Sequence, residues 1–147
     1  MRLPLPPILA ASAMGVTWAT RGWGPGLPAP WGLGLGAGLG LAGLALIGAA
    51  AARFAAARTT VNPARPERSA ALVTTGPNAW SRNPMYVGEV LAVLGFALAV
   101  NPWVGVPAAA AFALFLDRVQ IPAEERALAA RFGAAYAAYR ARVRRWL

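Results

Sequence analysis

Twenty-two consecutive residues, Trp31 to Ala52, carry no charge. As a helix rising about 1.5 Å per residue, this run covers roughly 33 Å, the scale of a bilayer's hydrocarbon core. The rest of the chain agrees: 58% of its 147 residues are apolar and only 13% are charged, low for a protein that must stay dissolved in water. Glycines punctuate the run at 32, 34, 36, 38, 40, 43 and 48. They make no dinucleotide fingerprint, because no strand precedes them and no βαβ unit follows. Pairs such as Gly32/Gly36 and Gly36/Gly40 predict close helix packing through small residues. A groove for a lipid chain, where missing side chains leave room, is the alternative.

Three more apolar segments accompany it. Leu3–Ala19 reads as a first membrane helix of marginal length, entered through Pro4, Pro6 and Pro7. A signal peptide competes, but cleavage at Ala11-Ser12-Ala13 would leave too short an apolar core. Thr20–Pro30 is a Gly/Pro loop holding Arg21. Arg53–Arg82 forms a basic connector carrying Arg53, Arg58, Arg65, Arg68, Arg82 and Glu67; Pro63, Pro66 and Pro77 forbid a long helix beyond about Thr60. Pro84–Val100 and Trp103–Leu116 predict a third and a fourth helix, joined by a tight turn at Asn101-Pro102. Both are short for a full span, which a leaning hairpin or a locally thinned bilayer accommodates. Glu89 near the start of the third helix is either interfacial or part of a polar cavity. Pro122 is expected to break or restart the chain after Asp117 and Arg118. From Glu124 one long amphipathic helix carries Leu128, Phe132, Tyr136, Tyr139, Val143 and Trp146 on one face. The expected fold is all-α: a single polytopic membrane domain over 1–147, with about four transmembrane helices and a C-terminal amphipathic helix. Residues 1–60 hold two spans; 61–147 hold the connector, the helical hairpin and the last helix.

Charge sets the orientation. All 14 cationic side chains are arginine, against 5 acids, for a net charge of +9. In a chain this apolar the excess points to anionic lipid headgroups rather than nucleic acid. With the connector and the C-terminal tail in the cytoplasm, four spans put both termini inside and leave Arg21 as the one arginine outside. The arginine- and alanine-rich composition suits a bacterial inner membrane. No cysteine or histidine is present, which excludes disulfides, thiolate chemistry, the usual zinc sites and imidazole base catalysis.

The densest polar cluster is Thr74-Thr75-Gly76-Pro77-Asn78-Ala79-Trp80-Ser81-Arg82-Asn83-Pro84-Met85-Tyr86-Val87-Gly88-Glu89. Asn83 before Pro84 is a favourable helix start, an N-capping residue followed by proline at the first helical position. Helix initiation leaves Gly76-Pro77, Arg82 and Tyr86 unexplained. Thr74, Gly76, Asn78, Arg82, Asn83, Pro84, Tyr86 and Gly88 resemble the segment T-x-G-x-Y-x-x-x-R-H-P-x-Y-x-G of the isoprenylcysteine carboxyl methyltransferases and phospholipid methyltransferases, which are integral membrane enzymes. The likeness continues through Asn101-Pro102, Asp117-Arg118, Glu124-Glu125, Leu128, Phe132-Gly133, Tyr136, Tyr139 and Val143, so it covers residues 70–147. Asn83 stands for the usual histidine and Asn78 for the usual tyrosine.

The resemblance implies a membrane methyltransferase that uses S-adenosylmethionine. It carries cofactor binding onto Ala71, Leu72 and Val73, onto Asn78, onto Asn83, Pro84, Met85 and Tyr86, and onto Glu124. It also implies catalytic roles for Arg82 and Arg118. Arg118 would hold an acceptor's carboxylate, since a planar guanidinium grips a carboxylate with two hydrogen bonds. Counting back from Glu124-Glu125 without a gap gives Gln120 as the fallback. The expected acceptor is a lipophilic small molecule or lipid-linked group bearing a carboxylate, which needs no general base at pH 7. An amine or thiol acceptor would have to pass a proton to Glu89, Glu124 or Glu125. Three other readings compete: a phospholipid N-methyltransferase, a relative of NADPH-dependent sterol reductases, and a non-catalytic membrane protein of the same fold.

Overall fold

The computed structural model describes residues 5–59 and 71–147. Leu3, Pro4 and the connector residues Pro63, Arg65, Pro66, Glu67 and Arg68 therefore lie outside the described residues. The described chain is helical: α1 spans Leu5–Ala19, α2 Ala29–Ala56, α3 Pro84–Val100, α4 Pro102–Phe115 and α5 Ile121–Arg142. A 3₁₀ turn over Gly76–Ala79 precedes α3, and a π-helical turn over Leu116–Gln120 links α4 to α5. Two helices are long and apolar enough to cross a membrane, Ala29–Ala56 and the continuous Pro102–Arg142. A buried core helix in a soluble protein can pass the same test, but α2 leaves Leu33, Leu35, Leu41 and Leu44 exposed, Leu41 by 68%. In water that would be a large bare apolar face.

α2 and α3 approach until their backbones touch. A Cβ added at Gly36 would stand 2.6 Å from the Gly95 carbonyl oxygen, and one at Gly95 would stand 2.5 Å from that of Gly36. One added at Gly88 would lie 2.6 Å from the Gly43 carbonyl oxygen. The expected small-residue packing holds on this face, which leaves no room for a lipid chain. Gly34, Gly38, Gly48 and also Gly40, one of the expected packing pair, have no such neighbour within 4 Å of an added Cβ; Gly40 meets Gly95 through its backbone alone.

α3 begins at Pro84 and ends at Val100 as expected. One residue, Asn101, joins it to α4: its Oδ1 accepts from the Trp103 N–H at 3.1 Å, and its Nδ2 donates to the Thr20 carbonyl at 2.6 Å. Trp103 Nε1 donates to the Pro25 carbonyl at 2.8 Å. The α1–α2 loop, with Arg21, thus shares one end of the molecule with the α3–α4 turn. At the other end lie the last turn of α2 with Arg53, the 3₁₀ turn, the start of α3, and the C-terminal tail. The core between α1, α3, α4 and α5 contains Ala10, Tyr86, Val93, Ala109, Phe112, Leu116 and Ile121, with Trp146 packed against it.

Two expectations about the C-terminal half are corrected. Pro122 does not break the chain. It occupies the first turn of α5, where its missing N–H is accommodated, and the wider π turn just before it keeps the helix continuous. The amphipathic helix from Glu124 is also not one straight stripe. Gly133 leaves helical geometry (φ 48°, ψ −120°) and kinks it, and α5 stops at Arg142. Val143 and Trp146 lie in an extended tail rather than on the helix face.

Candidate active site

The tail returns to the motif. After Val143 turns extended, Arg144 pairs in parallel with Ser81, and the Arg82 N–H donates to the Arg144 carbonyl at 2.9 Å. The Arg145 carbonyl accepts from Asn83 Nδ2 at 2.9 Å and from Ser81 Oγ at 3.3 Å. Asn83 does stand at the N-cap of α3, but its side chain serves the tail and not the helix end. Tyr139 reaches back from α5, its hydroxyl donating to the Asn78 carbonyl at 2.7 Å.

Between these parts is a cleft lined by Phe54, Ala71, Leu72, Val73, Asn78, Arg82, Asn83, Glu124, Glu125, Leu128, Tyr136 and Tyr139. Its empty space, including the part open to solvent, is about 450 Å³. Six of the expected cofactor residues, Ala71, Leu72, Val73, Asn78, Asn83 and Glu124, line it together. Tyr86 is buried beside it and donates its hydroxyl to Glu124 Oε1 at 2.5 Å; Gln120 Nε2 donates to the same oxygen at 2.6 Å. Pro84 and Met85 are not among the lining residues. Arg118 is also outside the lining: its side chain is 74% exposed and pairs with Asp117 at 3.4 Å.

Arg82 and Glu125 of the lining belong to a quartet of charges that continues behind it to Arg145 and Asp117. Arg82 Nη2 donates to Glu125 Oε1 at 2.6 Å, and Arg82 Nη1 donates to the Val143 carbonyl at 2.8 Å. Arg145 takes Glu125 with two bonds, Nη2 to Oε2 at 2.9 Å and Nε to Oε1 at 3.3 Å. Arg145 Nη1 also reaches Asp117 Oδ1 at 3.1 Å, which Trp146 Nε1 shares at 3.0 Å. Hydrogen bonds to Glu125 and then to Asp117 push the Arg145 guanidinium above its ordinary value. Sequence reasoning missed Arg145. A second glutamate after Glu124, in a chain with few acids, was the available signal that a cation must meet it.

Three buried polar atoms have no hydrogen-bond partner among the described residues: Asn78 Oδ1, Arg82 Nε and Glu89 Oε2. Two of them, one acceptor and one donor, belong to residues lining the cleft. Buried polar atoms are nearly always satisfied, so such a pair is what a polar ligand would complete. A ligand carrying an ammonium donor and a carboxylate acceptor would meet the requirement, and Phe54, Val73 and Leu128 give the cleft an apolar wall.

The sequence model of the phospholipid methyltransferase family matches residues 31–135, more than half of the chain and including most of the cleft. Neither the curated proteins nor the solved structures give a match.

Proposed function

The chain belongs to the phospholipid methyltransferase family, and from that premise we propose that it transfers a methyl group from S-adenosylmethionine to a carboxylate on a lipophilic acceptor. The observation that carries the reading is the cleft itself, which gathers Ala71–Val73, Asn78, Arg82 and Glu124 around two unsatisfied polar atoms. Asn78 Oδ1 and Glu124 suit the cofactor's ammonium, and Arg82 Nε suits its carboxylate. Tyr86 and Gln120 fix the Glu124 carboxylate in place. The cofactor supplies a methyl group on a positively charged sulfur. The protein's task is to hold two reactants in line and exclude water.

A carboxylate acceptor is ionised before it binds, so a chain without histidine needs no base for it. Arg118, exposed beside Gln120, is the side chain we assign to attract that carboxylate, with the lipid tail among the apolar helices. Both motif-bearing segments then face the cytoplasm, where the cofactor is available.

The test is labelled methyl transfer from S-adenosylmethionine to extracted membrane lipids, with mass spectrometry of the product. We expect a methyl ester and a rate that is flat from about pH 6 to 8, because carboxylates are ionised throughout that range. Glu124→Ala and Tyr86→Ala should weaken cofactor binding, and Arg118→Ala should raise the acceptor KM about tenfold, the worth of one charged hydrogen bond. An N-methylated headgroup formed at a rate that rises with pH would refute the carboxylate. The proton acceptor would then be sought at Glu89 or Glu124.

A further inference from the structure

Glu125 is shared unequally by two arginines. Carboxylates favour a bidentate fork with one guanidinium. Here the fork belongs to Arg145, through Nη2 and Nε, while Arg82 holds Glu125 by Nη2 alone. That division leaves the buried Nε of Arg82, a residue that lines the cleft, without a partner. Arg82 and Glu125 are both deeply buried, with side chains 10% and 11% exposed, so an unclaimed carboxylate oxygen has little water to turn to. Deprived of Arg145, Glu125 would close its second oxygen onto Arg82. The free N–H would then be lost to an internal ion pair.

Arg145 is well anchored for the opposite task. Asp117 in the π turn holds its Nη1, and its carbonyl oxygen is held by Asn83 and Ser81. Its guanidinium is therefore fixed against the π turn and its backbone against the motif. We propose that Arg145 is a positioning residue: by occupying Glu125 bidentately it keeps the Arg82 Nε–H free for the carboxylate of a bound ligand. The proposal rests on the cofactor reading above, in which that ligand is S-adenosylmethionine.

The experiment measures S-adenosylhomocysteine affinity for the purified full chain in detergent, with melting temperature recorded separately on each variant. Arg145→Ala should weaken binding about tenfold or more, the worth of one charge-assisted hydrogen bond. The decisive variant is Arg145→Ala combined with Glu125→Gln. A neutral amide has one acceptor oxygen and competes far more weakly for the guanidinium, so affinity should recover toward wild type although a second charge has been removed. A purely structural role predicts that the double variant is worse than the single one. Arg145→Lys, which keeps the charge but loses the fork, should fall between wild type and alanine, and serves if Arg145→Ala does not fold. Arg126→Ala, an exposed charge on α5 next to Glu125 in sequence, should bind as wild type does. If Arg145→Ala and Arg145→Lys bind as wild type, or the double variant shows no recovery, Arg145 is not a positioning residue. A wild-type chain that fails to bind S-adenosylhomocysteine, and is stabilised by NADPH instead, overturns the cofactor reading on which the proposal stands.

Discussion

Asn83 shows how one residue can satisfy a local rule and do something else. Asparagine before proline is a favourable helix start, and α3 does start there. Its side chain nevertheless donates to the Arg145 carbonyl, 62 residues away in sequence. No local pattern could reveal that, because the partner comes from the far end of the chain. A histidine ring N–H could donate to that carbonyl as the amide N–H does. Asn83→Ala should therefore destabilise the protein by about 1 kcal/mol, one hydrogen bond's net contribution, and loosen the tail. Asn83→His should retain most of the stability. Thermal melting of the two variants side by side in detergent checks this; equal losses would mean that the bond to the tail contributes nothing.

At the scale of elements, legibility followed locality. The bounds of α3 could be read from Pro84 and Asn101-Pro102, since proline and a capping asparagine punctuate helices by their own chemistry. The glycines of Trp31–Ala52 announced a close helix contact, but not which face would make it. The choice depends on the partner's glycines, Gly88 and Gly95, which repeat the seven-residue spacing of Gly36 and Gly43. The π turn was not legible because Asp117, Arg118 and Pro122 read as a break in the chain, and the kink at Gly133 because a three-to-four-residue apolar rhythm runs through it. Most of the cleft was legible through the motif, whereas the tail's return was not. The two glycine faces give a paired prediction. Gly36→Leu forces a side chain into the α3 backbone and should cost about 1–3 kcal/mol or more. Gly38→Leu, which meets nothing within 4 Å, should be near neutral. Unfolding of both variants in the same detergent decides it, and equal stability would place the α2–α3 contact elsewhere.

For the whole molecule the question is how the helices sit across a bilayer. α1 and α3 have 15 and 17 residues, or about 22 and 26 Å of helix, short of a 30 Å core. A locally thinned bilayer would let these two cross beside the longer α2 and the continuous α4–α5 helix. The two ends of the bundle differ in the way that orientation requires. One end carries Arg21 with the exposed indoles of Trp18, Trp23, Trp31 and Trp103, which suit a membrane interface. The other carries Arg53, Arg82 and the arginine-rich tail, together with the cleft. Cationic loops are retained on the cytoplasmic side, so the cleft end should face the cytoplasm. A reporter fused after Leu147 should then read cytoplasm, and one inserted at Pro25 should read the opposite side. The orientation also bears on chemistry, because a soluble nucleoside cofactor can reach the cleft only from the side where it is made. A C-terminal reporter found outside would put the cleft out of reach of that cofactor, and the methyltransferase reading would fail with the topology.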